Sequence, residues 1–310
     1  MNRRLPWLVM GIVLVLPVAA GADPTQPYVV DPALGCGQVL TDPGKTYVLG
    51  GDLWCPEPGN GVVIAASDIV FHLAGHTIAS PVCDTSQFVS GIVIDPAAEN
   101  VRIDGGTVSG FNDGLLLYGT RNRVTGMTFT NACVWGIVVA GHELVVETSV
   151  VIANGMDGIV LETATGARIA SNFISGNGRA GVSLSDMSDS NLVEKNIITS
   201  NGQGEGYGVV IFYGSGNNVL KNALHGNFNG IGILSPLNDV SENTVTRSVH
   251  TGIFAADGKA TITANSVFIS GVSDVADATP GCVSNVWTGN IFQTDLVAGL
   301  SDGGPGAGCI

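Results

Sequence analysis

Residues 136–161 read GIVVAGHELVVETSVVIANGMDGIVL. The stretch begins and ends on the same signature, a glycine followed by three apolar residues, with Gly136 and Gly158 spaced 22 residues apart. Working outward, the signature recurs as GVVI from Gly61, GIVI from Gly91 and GLLL from Gly114, then as GVSL from Gly181, GVVI from Gly208, GIGI from Gly230 and GIFA from Gly252. Most intervals are 22 or 23 residues. The two longer ones mark insertions, one holding Cys83 and the other Gln203-Gly-Glu-Gly-Tyr207. A period of this length, too broken by Gly and Asn to hold a helix, belongs to a stack of short strands.

Alternation within each segment assigns every second residue to the interior. Two inward columns follow: Ile92, Leu115, Ile137, Ile159, Val182, Val209, Ile231 and Ile253, then Ile94, Leu117, Val139, Leu161, Leu184, Ile211 and Ile233. No coil can bury such a face alone, but its neighbours can. Asn172, Asn196, Asn222, Asn243 and Asn265 form a second series, and Asn154, Asn177, Asn201 and Asn227 a third. Stacked coils about 4.8 Å apart turn identical amides into ladders. These asparagines are therefore read as structural, suited to turns with left-handed backbone. The predicted fold is all-β: a right-handed parallel β-helix of about nine coils over residues 61–275, with a disulfide-pinned cap at 23–60 and a last partial coil and cap at 276–310.

Composition agrees. The 310 residues include 44 glycines, only 12% are charged, and the net charge is −14. Such acidity argues against nucleic acid, which needs a basic surface. Arg3 and Arg4, the apolar run from Trp7 to Val18 and the small residues Ala20-Gly-Ala22 read as a signal peptide over residues 1–22. That run is short for a membrane span, so the expected location is secreted or periplasmic. Six cysteines in an exported chain read as three disulfides: Cys36 with Cys55, Cys282 with Cys309 and, by remainder, Cys83 with Cys133. No Cys-x-x-Cys spacing suggests a metal site.

The run GDLWCPEPGNGVVIAASDIVFHLAGHTI, from Gly51 to Ile78, and the segment from Pro280 to Trp287 are similar to the ends of pectate-lyase-like right-handed β-helix proteins. The chain resembles in particular exported bacterial proteins of the carbohydrate-binding and sugar-hydrolase type. The resemblance covers roughly residues 34–310. It implies an extracellular polysaccharide as partner and a lyase, epimerase or hydrolase as the activity, if there is one. The motifs of polygalacturonase-like hydrolases (Asn-Thr-Asp, Asp-Asp, Gly-His-Gly, Arg-Ile-Lys) are absent, as is the Asp-Pro-His-Asp of mannuronan epimerases. Gly75-His76-Thr77 and Asp95-Pro96 match only fragments. An acidic chain would need a basic patch or a bridging cation such as calcium to hold a polyuronate.

Residues immediately before the repeat glycines, among them Asp113, Trp135, Asp157 and Tyr207, should form an outward column. The fourth residues after them, among them Tyr118, Glu162 and Phe212, should form another. Rings stack on the apolar faces of sugars and carboxylates accept their hydroxyls. Asp113 and Asp157, two coils apart, would stand roughly 9–10 Å apart, near the roughly 6.5–9.5 Å carboxyl spacing of inverting glycosidases. The catalytic candidates are Asp157 with Asp113 or Glu162. The substrate-binding candidates are Tyr118, Trp135, Tyr207 and Phe212, with Arg121 and Arg123 as a compact basic spot. The structural alternative for each aspartate is a turn residue before glycine. Arg168, Arg179, His225, Arg247 and His250 look scattered, and Lys195, Lys221 and Glu242 read as a solvated charge column. His72 and His76 lie on a strand, too far apart to share a metal. The competing reading of the whole chain is a structural or adhesive solenoid. A surface-binding face would need regular threonine columns, and the sequence shows none.

Overall fold

The computed structural model describes residues 29–31, 34–81, 89–279 and 284–297. Three parallel sheets run the length of a solenoid. A representative coil has β11 (Asp113–Leu117) in sheet II, β12 (Arg123–Thr125) in sheet I and β13 (Thr128–Thr130) in sheet III, before β14 (Ile137–Val139) returns to sheet II. Among the described residues, sheets I and II have 12 strands each and sheet III has 10, and no helix is long and apolar enough to cross a membrane.

The coil count is about eleven rather than nine. Residues 38–54, expected within the N-terminal cap, already supply β2 (Gln38–Leu40), β3 (Thr46–Leu49) and β4 (Leu53–Trp54) to the three sheets. At the other end β32 (Ser273–Asp277) pairs with β29 (Thr251–Ala255), and Asp274 occupies the glycine position. Both inward columns are fully buried, at 0% exposure throughout.

The glycines mark where coils approach too closely for a side chain. A Cβ on Gly114 would stand 2.4 Å from the Gly136 carbonyl oxygen, and one on Gly136 2.5 Å from that of Gly158. Each coil thus presses its backbone against the next at this column. The asparagine ladders are present, and the longest continues beyond the predicted series to Asn290. Asn172 N and Nδ2 both donate to Asn196 Oδ1, and Asn196 repeats the pattern to Asn222. The left-handed position is not the asparagine but the residue before it: Ser171, Lys195, Lys221, Glu242 and Ala264 all have φ near +55°. A further ladder, Asn191–Asn217–Asn238, lies in the turn between sheets II and I.

Cys36 and Cys55 form a disulfide, with Cα atoms 5.6 Å apart. Cys133 is also disulfide-bonded. Cys83, Cys282 and Cys309 lie outside the described residues, as does the expected signal peptide. Lys221 pairs with Glu242 at 3.5 Å, as a solvated charge pair. His72 and His76 take separate partners, Asp104 at 2.6 Å and Asp52 at 3.4 Å.

Asn196→Ala removes the acceptor for two Asn172 donors and the donor to the Ile169 carbonyl. We expect a loss of about 2–3 kcal/mol, read as a lowered guanidinium midpoint, because buried groups are left unpaired. Asn218→Ala, on an exposed residue of sheet I, should stay within about 0.5 kcal/mol of the parent.

Candidate functional site

The outward face of sheet II gathers the chemistry. Each strand presents three outward positions: the one before the glycine, the third in the Gly-x-x-x segment, and the residue following that segment. The central column contains Val138, Val160, Ser183 and Val210, all with at most 2% exposure although they point away from the core. Large side chains from the two flanking columns fold over them. The Tyr207 ring lies across Gly232, where a Cβ would meet ring carbon at 2.5 Å. Tyr207 and Phe212 pack edge to face with centroids 6.5 Å apart. The Arg179 guanidinium sits 6.0 Å from the Phe212 centroid.

Arg179 is the cation of this face. Its Nε donates to Asp157 Oδ1 at 2.9 Å, and a second guanidinium nitrogen donates to Oδ2. Asp157 is fully buried beneath this fork. The bidentate geometry commits the aspartate to the arginine, which raises the Arg179 pKa further through that bond. Arg179, Glu205, Tyr207, Val210, Phe212 and Asn229 line an open pocket of about 290 Å3. The insertion before Tyr207 supplies one wall.

Beyond Asp157 lie two carboxyls of different character. Burial pushes Asp113 up to about 6, against the opposing backbone hydrogen bond from Trp135 N and with a further push from the Glu162 charge. Its exposure is 4%, so the position expected to be open is covered. Glu162 is raised first by burial and then by Asp186 and Asp157, with Arg179 opposing. Burial also raises Tyr118, with Glu162 and Asp113 adding, and raises Tyr207. Trp135 Nε1 and Ser183 Oγ on this face are buried and find no protein partner. Such groups call for water or a ligand.

Asp113, Asp157, Glu162, Tyr118, Trp135, Tyr207 and Phe212 therefore share one face. Arg121 and Arg123 do not join it. Arg121 pairs with Glu99 at 2.6 Å in the turn leaving sheet II. Arg123 opens β12 in sheet I and pairs with Glu147. The turn swings both away, and the basic group of the site is Arg179, which had looked scattered. Its signal was positional: Arg179 stands two residues before Gly181, and Asp157 one before Gly158, so stacking places them on adjacent coils. Arg168 belongs to sheet I, bridging Glu147 and Glu194, and His250 stacks on Phe228. Among the described residues no three His, Cys, Asp or Glu gather to hold a metal ion.

A family described as "Right handed beta helix region" matches residues 90–238. The chain has the right-handed parallel β-helix fold. No curated protein sequence matches it. Among solved structures it is similar to the Dettilon tailspike protein, at 16% identity and TM-score 0.56, covering 85% of this chain and 54% of that one. It is also similar to a double mutant of the periplasmic alginate epimerase AlgG, at 16% identity and TM-score 0.57, covering 85% and 73%. A third is the tailspike of E. coli bacteriophage HK620 in complex with a pentasaccharide, at 17% identity and TM-score 0.57, covering 84% and 58%. This β-helix thus spans little more than half the length of either tailspike. At these identities the likeness is one of fold.

The raised Asp113 pKa couples the stability of the fold to pH. An unfolded aspartate titrates near 3.9, so the folded chain holds the extra proton between about pH 4 and pH 6. Stability contributed by this group is intact below the lower value and falls as pH rises through about 6. Asp113→Asn should flatten that slope and gain on the order of 2 kcal/mol at pH 8, measured by denaturant unfolding across pH.

Proposed function

We propose that the chain binds an extracellular polysaccharide along the outward face of sheet II and performs proton-transfer chemistry on it. The observation that carries this reading is the convergence of Asp113, Glu162 and the ring-lined Arg179 pocket on one face. A glycan laid along the solenoid axis would cross successive coils. Tyr207 and Phe212 offer ring surface to a pyranose, and Asn229 offers hydrogen bonds. The alginate epimerase and the tailspike in complex with a pentasaccharide support the reading, because both bring sugars to this fold. Asp157 is a positioning residue in this scheme. Its carboxylate is engaged by Arg179 on both oxygens, so it keeps the guanidinium over Phe212 and leaves the proton work to others.

Asp113, covered and protonated up to about pH 6, passes its proton to the leaving glycosidic oxygen through one intervening water, and Glu162 is the base for the attacking water. Hydrolysis is thus favoured over elimination or epimerisation. Those reactions need a cation at a uronate carboxylate, and Arg179 is already largely spent on Asp157. We also propose that the chain is exported, into the periplasm or the medium.

The test is glycan binding and turnover by the purified protein on neutral and acidic polysaccharides, with and without calcium. New reducing ends should appear, without unsaturated-uronate absorbance. Asp113→Asn and Glu162→Gln should each lower turnover by about 10²–10⁴-fold while retaining binding, and Tyr207→Ala should weaken binding about tenfold. Unsaturated-uronate absorbance would reassign the chemistry to a lyase. Absence of binding across the panel would give the chain to the structural or adhesive alternative.

A further inference from the structure

The outward face of sheet III differs from the other two. Its strands from β7 (Thr77–Ala79) to β31 (Ser266–Phe268) read TIA, TVS, TFT, VVI, FIS, IIT, ALH, TVT and SVF, with the middle residue inward. The outward first and third positions contain no Asp, Glu, Lys or Arg in any of the nine strands. His225 is their one titratable group. Contrary to the expectation from sequence, threonine does stack here, at Thr77, Thr107 and Thr128 in register. Val150, Phe173 and Ile197 continue it as an apolar centre, with Ile197 51% exposed.

We infer that this face is where a second copy of the chain docks. The chain carries a net charge of −14, so two copies repel wherever carboxylates are brought together. Sheet II presents the acidic site, and sheet I presents the Arg123–Glu147–Arg168–Glu194 network. Among the described strands, only those of sheet III can be apposed to themselves without bringing charged side chains together, the Lys195, Lys221 and Glu242 column lying at their edge. Several of its hydroxyls are already used internally, which makes drying the face cheap. Thr199 Oγ1 donates to Ser175 Oγ at 2.9 Å, and Thr246 Oγ1 lies 3.0 Å from His225 Nδ1. A sugar would want those groups free, and an apolar protein face does not. Nine three-residue strands at about 4.8 Å give a strip of roughly 40 Å by 10 Å, or about 400 Å2 per copy, a size that suits a weak, reversible contact. A two-fold axis lying between the two faces, parallel to the sheets, makes the contact self-complementary.

The test is sedimentation velocity on the intact protein. A dimer is expected in the micromolar range. Ile197→Glu places a charge near the centre of the face twice per dimer, and should raise the dimer dissociation constant by at least about tenfold. Thr244→Glu, on another exposed position of the face, should weaken the dimer as well. Asn218→Glu on sheet I should not, and circular dichroism melts should match the parent in all three. A parent monomeric throughout the micromolar range overturns the inference. So does an assembly of any size that both face variants leave intact. A monomer that instead co-sediments with an insoluble glycan, and loses this in Ile197→Glu, gives the face to a different partner and equally overturns it.

Discussion

The spacing between coils governs everything else in this molecule. Adjacent backbones approach so closely at the glycine that opens most sheet II strands that a single methyl group would strike the next coil's carbonyl oxygen. Given that contact, the aliphatic columns meet in register, the amides of the turns fall within hydrogen-bonding reach of one another, and the three faces become flat arrays. The interior is a by-product of the stacking distance: each coil contributes only a few apolar residues, and its neighbours complete their burial.

Much of this was legible because stacking repeats the same demand in every coil. The two inward columns could be read from alternation alone, and each predicted member is buried. The ladders of Asn172 and Asn154 were legible for the same reason. The signal failed where the demand changed. Asp274 replaces glycine near the end of the stack, which hid a coil. The ladder of Asn191, Asn217 and Asn238 sits in a column that also contains Leu144, Ala167 and Ala260, so its periodicity was broken.

The candidate site was legible in its columns and not in its contacts. Indexing on the glycines put Asp113, Trp135, Asp157 and Tyr207 in one column and Tyr118, Glu162 and Phe212 in another, and the structure brings both to the same face. Sequence order could not show that Asp157 would be sealed beneath Arg179 or that Asp113 would be covered. Those outcomes depend on how long side chains lean across a sheet, a matter of rotamers and not of register. Proximity in the chain misled for Arg121 and Arg123: they follow Tyr118 closely, yet the turn after the strand carries them to another side.

The insertion at residues 203–206 shows how such a scaffold can change its tastes. It enlarges one turn and forms one wall of the pocket, while the strands on either side keep their register with the coils above and below. Length variation at this corner is therefore uncoupled from folding. A lineage could lengthen, shorten or recharge this loop over generations and sample new ligands without renegotiating the core. The solenoid thereby separates the part of the chain that must be conserved in shape from the part that is free to diverge.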